Sequence, residues 1–379
     1  MSPPDSGCAD RPAPAAHRRY AAHAFVDGER CLTIAGLMRR WLAWEWTLWT
    51  LLWGWLSWRA GLSLGWLPLL APASWLLTRW GVFVAELVFS LTANRFPPAG
   101  LRAEAQAIAG SAPAASPLAL LGCITTEWRH WLFTFVLGQA FAGLGHGTSA
   151  SSGAAGQRRV VLLVHGFGCH GGIWRHAAPR LAEAGWIVET IDLLPVFGPI
   201  DAYVERIEAT IEHIRARHGV ERIDAVGHSM GGVALRAWAA RHGDARVARL
   251  VTVGSPHRGT RFAHLFISPN VKQMRLGSDF LAALATAEAA ASASHHAAAS
   301  GAKRACLWSW HDNVVTPQVS ARLPGAREWR ATGIGHLSLI CEPRGIALII
   351  EALRADAGAP DARSAGTGQP AGQAGAASR

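Results

Sequence analysis

The chain has 379 residues, of which 50% are hydrophobic and 16% are charged, and its formal net charge is +10. Globular proteins carry about 25% charged residues, so this apolar composition excludes a disordered protein and a coiled coil, both of which need far more charge. The length suits one large domain with an appendage or two modest domains, and the arginines, scattered without a basic run, predict no nucleic-acid partner.

The two ends of the chain have the composition of disordered tails. Residues 1–36 are rich in alanine and arginine, and residues 357–379 are rich in glycine, alanine and serine. Between them, residues 37–93 are apolar and hold ten of the 18 tryptophans. This contrast predicts an ordered apolar segment that follows a basic, disordered tail.

Residues 37–93 are predicted to form a helical membrane segment. Glu45 is the only charge between residues 41 and 58, and residues 60–78 carry none. About 20 apolar residues can cross a bilayer, and indole rings favour the headgroup boundary. We therefore expect one or two transmembrane helices. The alternative is a hydrophobic hairpin that lies on the membrane surface or supports the soluble domain.

Residues 94–157 are predicted to be a linker with one apolar helix at 118–137. Prolines at 97–98, an Ala/Pro/Ser stretch at 110–117 and a Gly/Ser stretch at 145–157 interrupt regular structure. Glu127, Arg129 and His130 lie in the middle of the apolar helix. They favour a buried or surface-lying helix over a third span.

From residue 158 to residue 356 short apolar strands alternate with helices. This alternation predicts an α/β domain with a mostly parallel sheet and helices on both faces, whose chemistry gathers at the carboxyl ends of the strands. The predicted strands are 160–164, Trp186–Ile191, 222–226, 250–253, 306–310 and one near Trp329, and the predicted helices include 203–217 and 230–241.

A candidate nucleophile lies between one of these strands and the helix that follows it. Residues 227–231 read Gly-His-Ser-Met-Gly and fit the pattern G-x-S-x-G. A tight turn there holds the hydroxyl of Ser229 clear of the sheet, next to His228. Gly227 and Gly231 are needed because a Cβ at either position would collide with the neighbouring backbone. The pattern predicts a nucleophile elbow.

A serine nucleophile needs a base and an orienting acid, and acyl transfer needs donors for the developing oxyanion. His336, in a glycine-rich loop after the last strand, is the predicted base, and Asp312, just beyond strand 306–310, is the predicted acid. The backbone N–H groups of Phe167 and Met230 are the predicted oxyanion donors. This arrangement needs no metal and no cofactor.

These motifs together resemble the bacterial lipase and esterase branch of the α/β-hydrolase superfamily. The matching segments are Val-His-Gly-Phe-Gly at 164–168, Gly-His-Ser-Met-Gly at 227–231, Gly-Ser-Pro-His-Arg-Gly-Thr at 254–260, His-Asp-Asn-Val-Val at 311–315 and Gly-His-Leu at 335–337. The resemblance covers residues 158–356 and implies a minimal α/β-hydrolase fold, with His257 lining the site. It implies a serine ester hydrolase that forms an acyl-enzyme.

An insert at residues 261–302 is predicted to cover the site as a lid. Its aromatic residues Phe262 and Phe266, together with Phe197, are candidates for a pocket or lid. An ordinary connecting helix followed by a loose insert is the alternative. The apolar segment and these aromatic residues favour a lipid or other apolar ester as substrate, and a membrane as partner.

Two other functions are compatible with the same sequence motifs. The same acyl-serine could be transferred to an alcohol other than water, which would make the protein an acyltransferase. A membrane-tethered scaffold without turnover is the other alternative, because a fold does not guarantee activity.

The arginines before residue 41 and the six cysteines without metal-ligand or disulfide spacing favour the cytoplasmic side of a bacterial inner membrane for the catalytic domain.

Overall fold

The computed structural model describes residues 33–109, 115–141, 159–294 and 303–355. The predicted tails and the predicted hinge at 145–157 fall outside these residues, apart from positions 33–36. The helices are α1 (Ile34–Ala60), α2 (Leu67–Arg95), α3 (Ala99–Ala109), α4 (Pro117–Arg129), a π-helical turn (His130–Val136), α5 (Leu137–Phe141), α6 (Ala177–Glu183), α7 (Asp201–His218), α8 (Met230–His242), α9 (Pro269–Gln273), α10 (Asp279–Ser294), α11 (Ser338–Cys341) and α12 (Pro343–Arg354).

Six parallel strands form one sheet in the order β2-β1-β3-β4-β5-β6. The central strands β1 and β3 are buried on both faces, as the unbroken run of valine and leucine in β1 predicts. The predicted α/β fold with a parallel sheet is confirmed. The strands are β1 (Arg159–Val164), β2 (Trp186–Ile191), β3 (Ile223–His228), β4 (Val247–Val253), β5 (Lys303–Ser309) and β6 (Arg327–Ala331).

Helices cover both faces of this sheet. Apolar side chains of α7 and α8 form a core with one face, and those of α6 and α12 form a core with the other. We call residues 159–355 the sheet domain and helices α1 to α5 the helical segment. The second core also takes in Phe83, Trp131 and Val136 of the helical segment, so the two parts share a hydrophobic core.

The first two helices form an antiparallel hairpin. Trp53 donates its indole N–H to the Ser74 hydroxyl at 2.8 Å, and Glu45 pairs with Arg79 and accepts the indole N–H of Trp75. Among the described helices, the stretch Leu64–Arg95 alone has the length and apolar composition to cross a membrane.

The structure differs from the prediction of a linker between residues 94 and 157. Residues 99–109 form helix α3, and Leu101 and Ile108 pack in a core with Trp308 of the sheet domain. These two apolar side chains are seven residues apart and lie on one face of the helix. Alanine, glycine and three polar residues make up the rest of the helix, so its composition resembles that of a linker.

Candidate active site

Ser229 lies on the tight turn between β3 and α8. Its backbone has φ 54° and ψ −124°, and it is the only non-glycine residue with a positive φ among the described residues. A Cβ on Gly227 would lie 2.5 Å from the Gly232 nitrogen, and one on Gly231 would lie 2.3 Å from the Val164 oxygen. Such strain clusters at functional sites. The turn therefore has the geometry of a nucleophile elbow.

The loop after β1 passes directly beside this serine. A Cβ on Gly166 would lie 2.9 Å from the Ser229 Cβ. His165 is buried and accepts the Leu193 N–H on Nε2 at 2.9 Å, and its Nδ1 is 2.9 Å from the Gly166 oxygen. Burial lowers the pKa of His165, which keeps the ring neutral and suited to these two bonds. His165 thus holds the loop beside Ser229, and Phe167 is the next residue but one in this loop.

Asp312 and His336 form a buried pair at the carboxyl end of β5. Asp312 Oδ2 lies 2.9 Å from His336 Nδ1, and Asp312 Oδ1 accepts the N–H groups of Val314 and Val315 at 2.9 and 2.8 Å. Burial by itself would lower the pKa of His336, but the Asp312 carboxylate outweighs it and the pKa is raised. The pair therefore fixes Nδ1 as the protonated nitrogen and leaves the lone pair of Nε2 available to accept a proton.

The His336 ring packs against the residue that precedes the nucleophile. Its centroid is 4.6 Å from that of His228, and His228 Nε2 lies 3.2 Å from the His336 carbonyl oxygen. Burial lowers the pKa of His228 well below its usual value, so this ring stays neutral and donates to that carbonyl. Ser229 and His336 both lie in the described part of the chain, and no hydrogen bond joins the Ser229 hydroxyl to the His336 ring. Such bonds are often long before substrate binds.

Gly254, directly after β4, makes room for the Asp312 and His336 side chains. It has φ +53°, and a Cβ there would lie 3.2 Å from Asp312 Oδ2 and 3.3 Å from His336 Nδ1. The backbone of β4 therefore packs against the hydrogen bond of the pair. This close approach and the positive φ explain why the motif at 254–260 begins with glycine.

His257, which the resemblance implies lines the site, has both ring nitrogens engaged by other side chains. It is buried, its Nδ1 is 3.2 Å from Arg236 Nη1, and its Nε2 is 2.9 Å from the Thr252 hydroxyl. Both ring nitrogens are thus engaged in joining β4 to α8, because residue 257 follows a sharp turn that carries it into the core. In these contacts His257 serves the packing of β4 against α8.

The aromatic candidates lie together with the oxyanion loop. The ring of Phe167 is 5.9 Å from that of Phe197 and 5.8 Å from that of Phe266, which is 5.7 Å from Phe262. Phe262 in turn contacts Phe89 of α2 at 6.0 Å. Offset and edge contacts at these distances are typical of aromatic clusters. We call these five residues the aromatic row.

Two glutamates of the helical segment reach the same loops and were missed by sequence reasoning. Glu127 of α4 accepts the backbone N–H groups of Leu337 and Ser338 at 2.8 and 2.9 Å. Glu86 of α2 accepts the side-chain amide of Asn313, which itself accepts the His336 N–H at 3.0 Å. Their isolation as acidic residues in apolar helices was the only signal available.

Comparisons with known proteins support an α/β-hydrolase fold. The family described as alpha/beta hydrolase fold matches residues 159–336. Over 106 residues the chain is 34% identical to the pimeloyl-[acyl-carrier protein] methyl ester esterase of Chromobacterium violaceum, which covers 28% of this chain and 41% of that protein. It is 35% identical over 103 residues to epoxide hydrolase A of Mycobacterium tuberculosis, covering 26% of this chain and 32% of that protein.

Among solved structures, the mature lipase BlEst2 of Bacillus licheniformis superposes with a TM-score of 0.48 and 18% identity, over 54% of this chain and 96% of that one. The chain spans less than half the length of the curated relatives that it matches. The two curated names denote different reactions, so this similarity concerns the common fold.

Proposed function

Because residues 159–336 belong to the α/β-hydrolase superfamily, we propose that the chain is a serine ester hydrolase with Ser229 as nucleophile, His336 as base and Asp312 as the orienting acid. The observation that carries this proposal is the buried 2.9 Å bond between His336 and Asp312, next to a serine held at φ 54°. A hydrolase of the ester class is also what the esterase relatives support.

The reaction follows from this arrangement in two steps. In the first, His336 Nε2 takes the proton of Ser229 as its oxygen attacks the ester carbonyl, and the imidazolium then protonates the leaving alcohol. In the second, His336 takes a proton from water, the hydroxide attacks the acyl-enzyme, and the proton returns to Ser229 as the acid leaves. The N–H groups of Phe167 and Met230 stabilise the oxyanion in both steps, and Met230, as the first residue of α8, has no partner for its N–H within the helix.

The aromatic row supports an apolar acyl group as the substrate's recognition element. It begins at Phe167 in the oxyanion loop and runs through the insert to Phe89 of α2. Neighbouring apolar side chains are open to the surroundings, with Leu265 57% and Ile267 84% exposed. An alkyl chain that lies along this row would leave its ester carbon at the nucleophile.

The hairpin of α1 and α2 supports a membrane as the place of action. Soluble proteins rarely expose large continuous apolar patches, yet Trp44, Trp55, Leu51 and Leu77 are each more than half exposed. The charge-free stretches 46–58 of α1 and 67–78 of α2 correspond to about 20 and 18 Å of helix, which is more than half the thickness of the hydrocarbon core of about 30 Å.

Charges bound this apolar section at both of its ends. Glu45 and Arg79 pair at the end near the sheet domain, and Arg59 lies at the tip beside the exposed Trp58 and Trp66. Indole rings and arginines are typical of the two headgroup regions. We propose that the hairpin crosses the membrane and returns. The sheet domain would then stay on the side of the N-terminus, which the positive-inside rule makes cytoplasmic.

The proposal is tested with a fluorophosphonate probe, which phosphonylates an activated serine. The full chain in detergent should be labelled at Ser229, and Ser229→Ala should abolish labelling. Ser255→Ala is the matched control, because Ser255 is a buried serine beside the same elbow and should leave labelling intact. Labelling that persists in Ser229→Ala would refute the nucleophile.

The substrate class is tested separately with esters of rising acyl length. We expect kcat/KM to increase from acetyl to long-chain esters and to increase further with phospholipid vesicles. Methyl esters form a second arm, since the relative from Chromobacterium violaceum is by name a methyl ester esterase. Addition of an alcohol that diverts the acyl group from water would instead support the acyltransferase alternative.

A further inference from the structure

The loop that carries His336 is held from outside the sheet domain. Glu127 is 2% exposed and accepts three hydrogen bonds, from the Leu337 N–H at 2.8 Å and from the Ser338 N–H and hydroxyl at 2.9 and 2.6 Å. A Cβ on Gly335 would lie 2.4 Å from its Oε2. The carboxylate therefore contacts the backbone on both sides of His336.

The second support reaches the loop that carries Asp312. Glu86 accepts the side-chain amide of Asn313, and Asn313 Oδ1 accepts the His336 N–H at 3.0 Å. One turn further along α2, the Ser90 hydroxyl donates to the Asp312 carbonyl at 3.4 Å. Helix α2 thus bonds to both residues 312 and 313, and through Asn313 to the histidine.

The contacts of Glu127 and Glu86 are hydrogen bonds to particular donors, which packing of the helices on the sheet domain would not require. A carboxylate is costly to bury unless its oxygens are fully hydrogen-bonded, and bonds from N–H groups to a charged acceptor are about twice as strong as neutral ones. Catalysis in turn depends on the imidazole position, because a shift of about 1 Å can cost about 100-fold in rate. Glu127 fixes the backbone of the two residues after His336. Asn313 fixes the backbone N–H of His336 itself.

We propose that Glu127 and Glu86 are positioning residues for His336, so that the apolar helical segment completes the active site and is not a separable anchor. The inference rests on the proposed serine hydrolase function. It implies that removal of α1 to α5 would leave the sheet domain without a properly placed base.

The test replaces each glutamate by its uncharged isostere in the full chain. Glu127→Gln should lower kcat by about 10- to 100-fold with KM nearly unchanged, because the NH2 group that takes the place of Oε2 cannot accept the two bonds from Ser338. It should also move the acid limb of kcat/KM to lower pH, since the charge of Glu127 raises the pKa of His336. Glu86→Gln should give a smaller loss of kcat, because Glu86 reaches the histidine only through Asn313.

Glu104→Gln is the matched control. Glu104 of α3 also joins the helical segment to the sheet domain, through Arg258 and Arg322, without contacting the histidine loop. It should lower stability while leaving kcat per active site and the acid limb unchanged. If Glu127→Gln does not fold, Glu127→Asp keeps the charge and should restore the wild-type acid limb with a reduced kcat.

Active sites are counted by fluorophosphonate labelling, so a loss of folded protein is not read as a loss of kcat. Wild-type kcat and an unshifted acid limb in both glutamine variants would overturn the inference and leave the proposed function intact. Failure of the unaltered chain to label at Ser229 would instead overturn the proposed function itself.

Discussion

A methyl group at position 166 should disturb the oxyanion loop without removing any catalytic side chain. The Cβ of Gly166→Ala would lie 2.9 Å from the Ser229 Cβ and 3.3 Å from the His228 oxygen, whereas ordinary contacts of such atoms begin at 3.4 Å. The loop must therefore move away from the nucleophile by about half an ångström. The Phe167 N–H, which follows in the chain, moves with it.

The expected magnitude follows from this displacement. Loss of one oxyanion donor costs about 10²–10³-fold in kcat, and a misplacement of about 1 Å costs about 10²-fold. A shift of half that size weakens the bond without abolishing it, so we expect kcat to fall about 10- to 100-fold. KM should change little, because the N–H groups act mainly on charge that develops in the transition state.

The assay is steady-state hydrolysis of a soluble p-nitrophenyl ester, normalised to active sites titrated by the phosphonate probe. Gly122→Ala is the matched control, since Gly122 lies on an exposed face of α4 and a Cβ there meets nothing within 4 Å. It should have wild-type kcat. A Gly166→Ala variant with wild-type kcat would refute the placing of an oxyanion donor in this loop.

Three further predictions concern the base, the membrane and the substrate. The raised pKa of His336 means that the neutral base is lost at a higher pH than for an ordinary imidazole, so the acid limb of kcat/KM should have its midpoint above 6.5. Asp312→Asn should move this midpoint lower and reduce kcat by about 10⁴-fold. A midpoint below 6.5 in the wild type would contradict the coupling between Asp312 and His336. In intact cells a membrane-impermeant maleimide should label Leu62→Cys at the hairpin tip. Ile267→Cys of the sheet domain should stay unlabelled until the cells are permeabilised. Equal labelling of the two variants in intact cells would exclude the proposed topology. Phe266→Ala should lower kcat/KM for a long-chain ester by roughly 10-fold, the equivalent of one apolar side chain's burial, while an equal loss on the acetyl ester would argue against an acyl-binding role.

Much of the sheet domain was accessible from the sequence because its signals are local. The valine and leucine run at 160–164 predicts a strand buried on both faces. The glycines around Ser229 predict a tight turn in which those two positions have no room for a Cβ. Asp312 and His336 were also within reach, since each lies just beyond a predicted strand and parallel strands bring their carboxyl ends to one edge of the sheet.

Tertiary structure decided the remainder, because the contacts involved join residues far apart in the chain. Glu127 bonds to Leu337 across 210 positions, and Asn313 to Glu86 across 227. Periodicity and propensity report only on neighbours along a helix or strand. They cannot show that an isolated glutamate in an apolar helix will meet free N–H groups, or that both ring nitrogens of His257 will be taken up by Arg236 and Thr252.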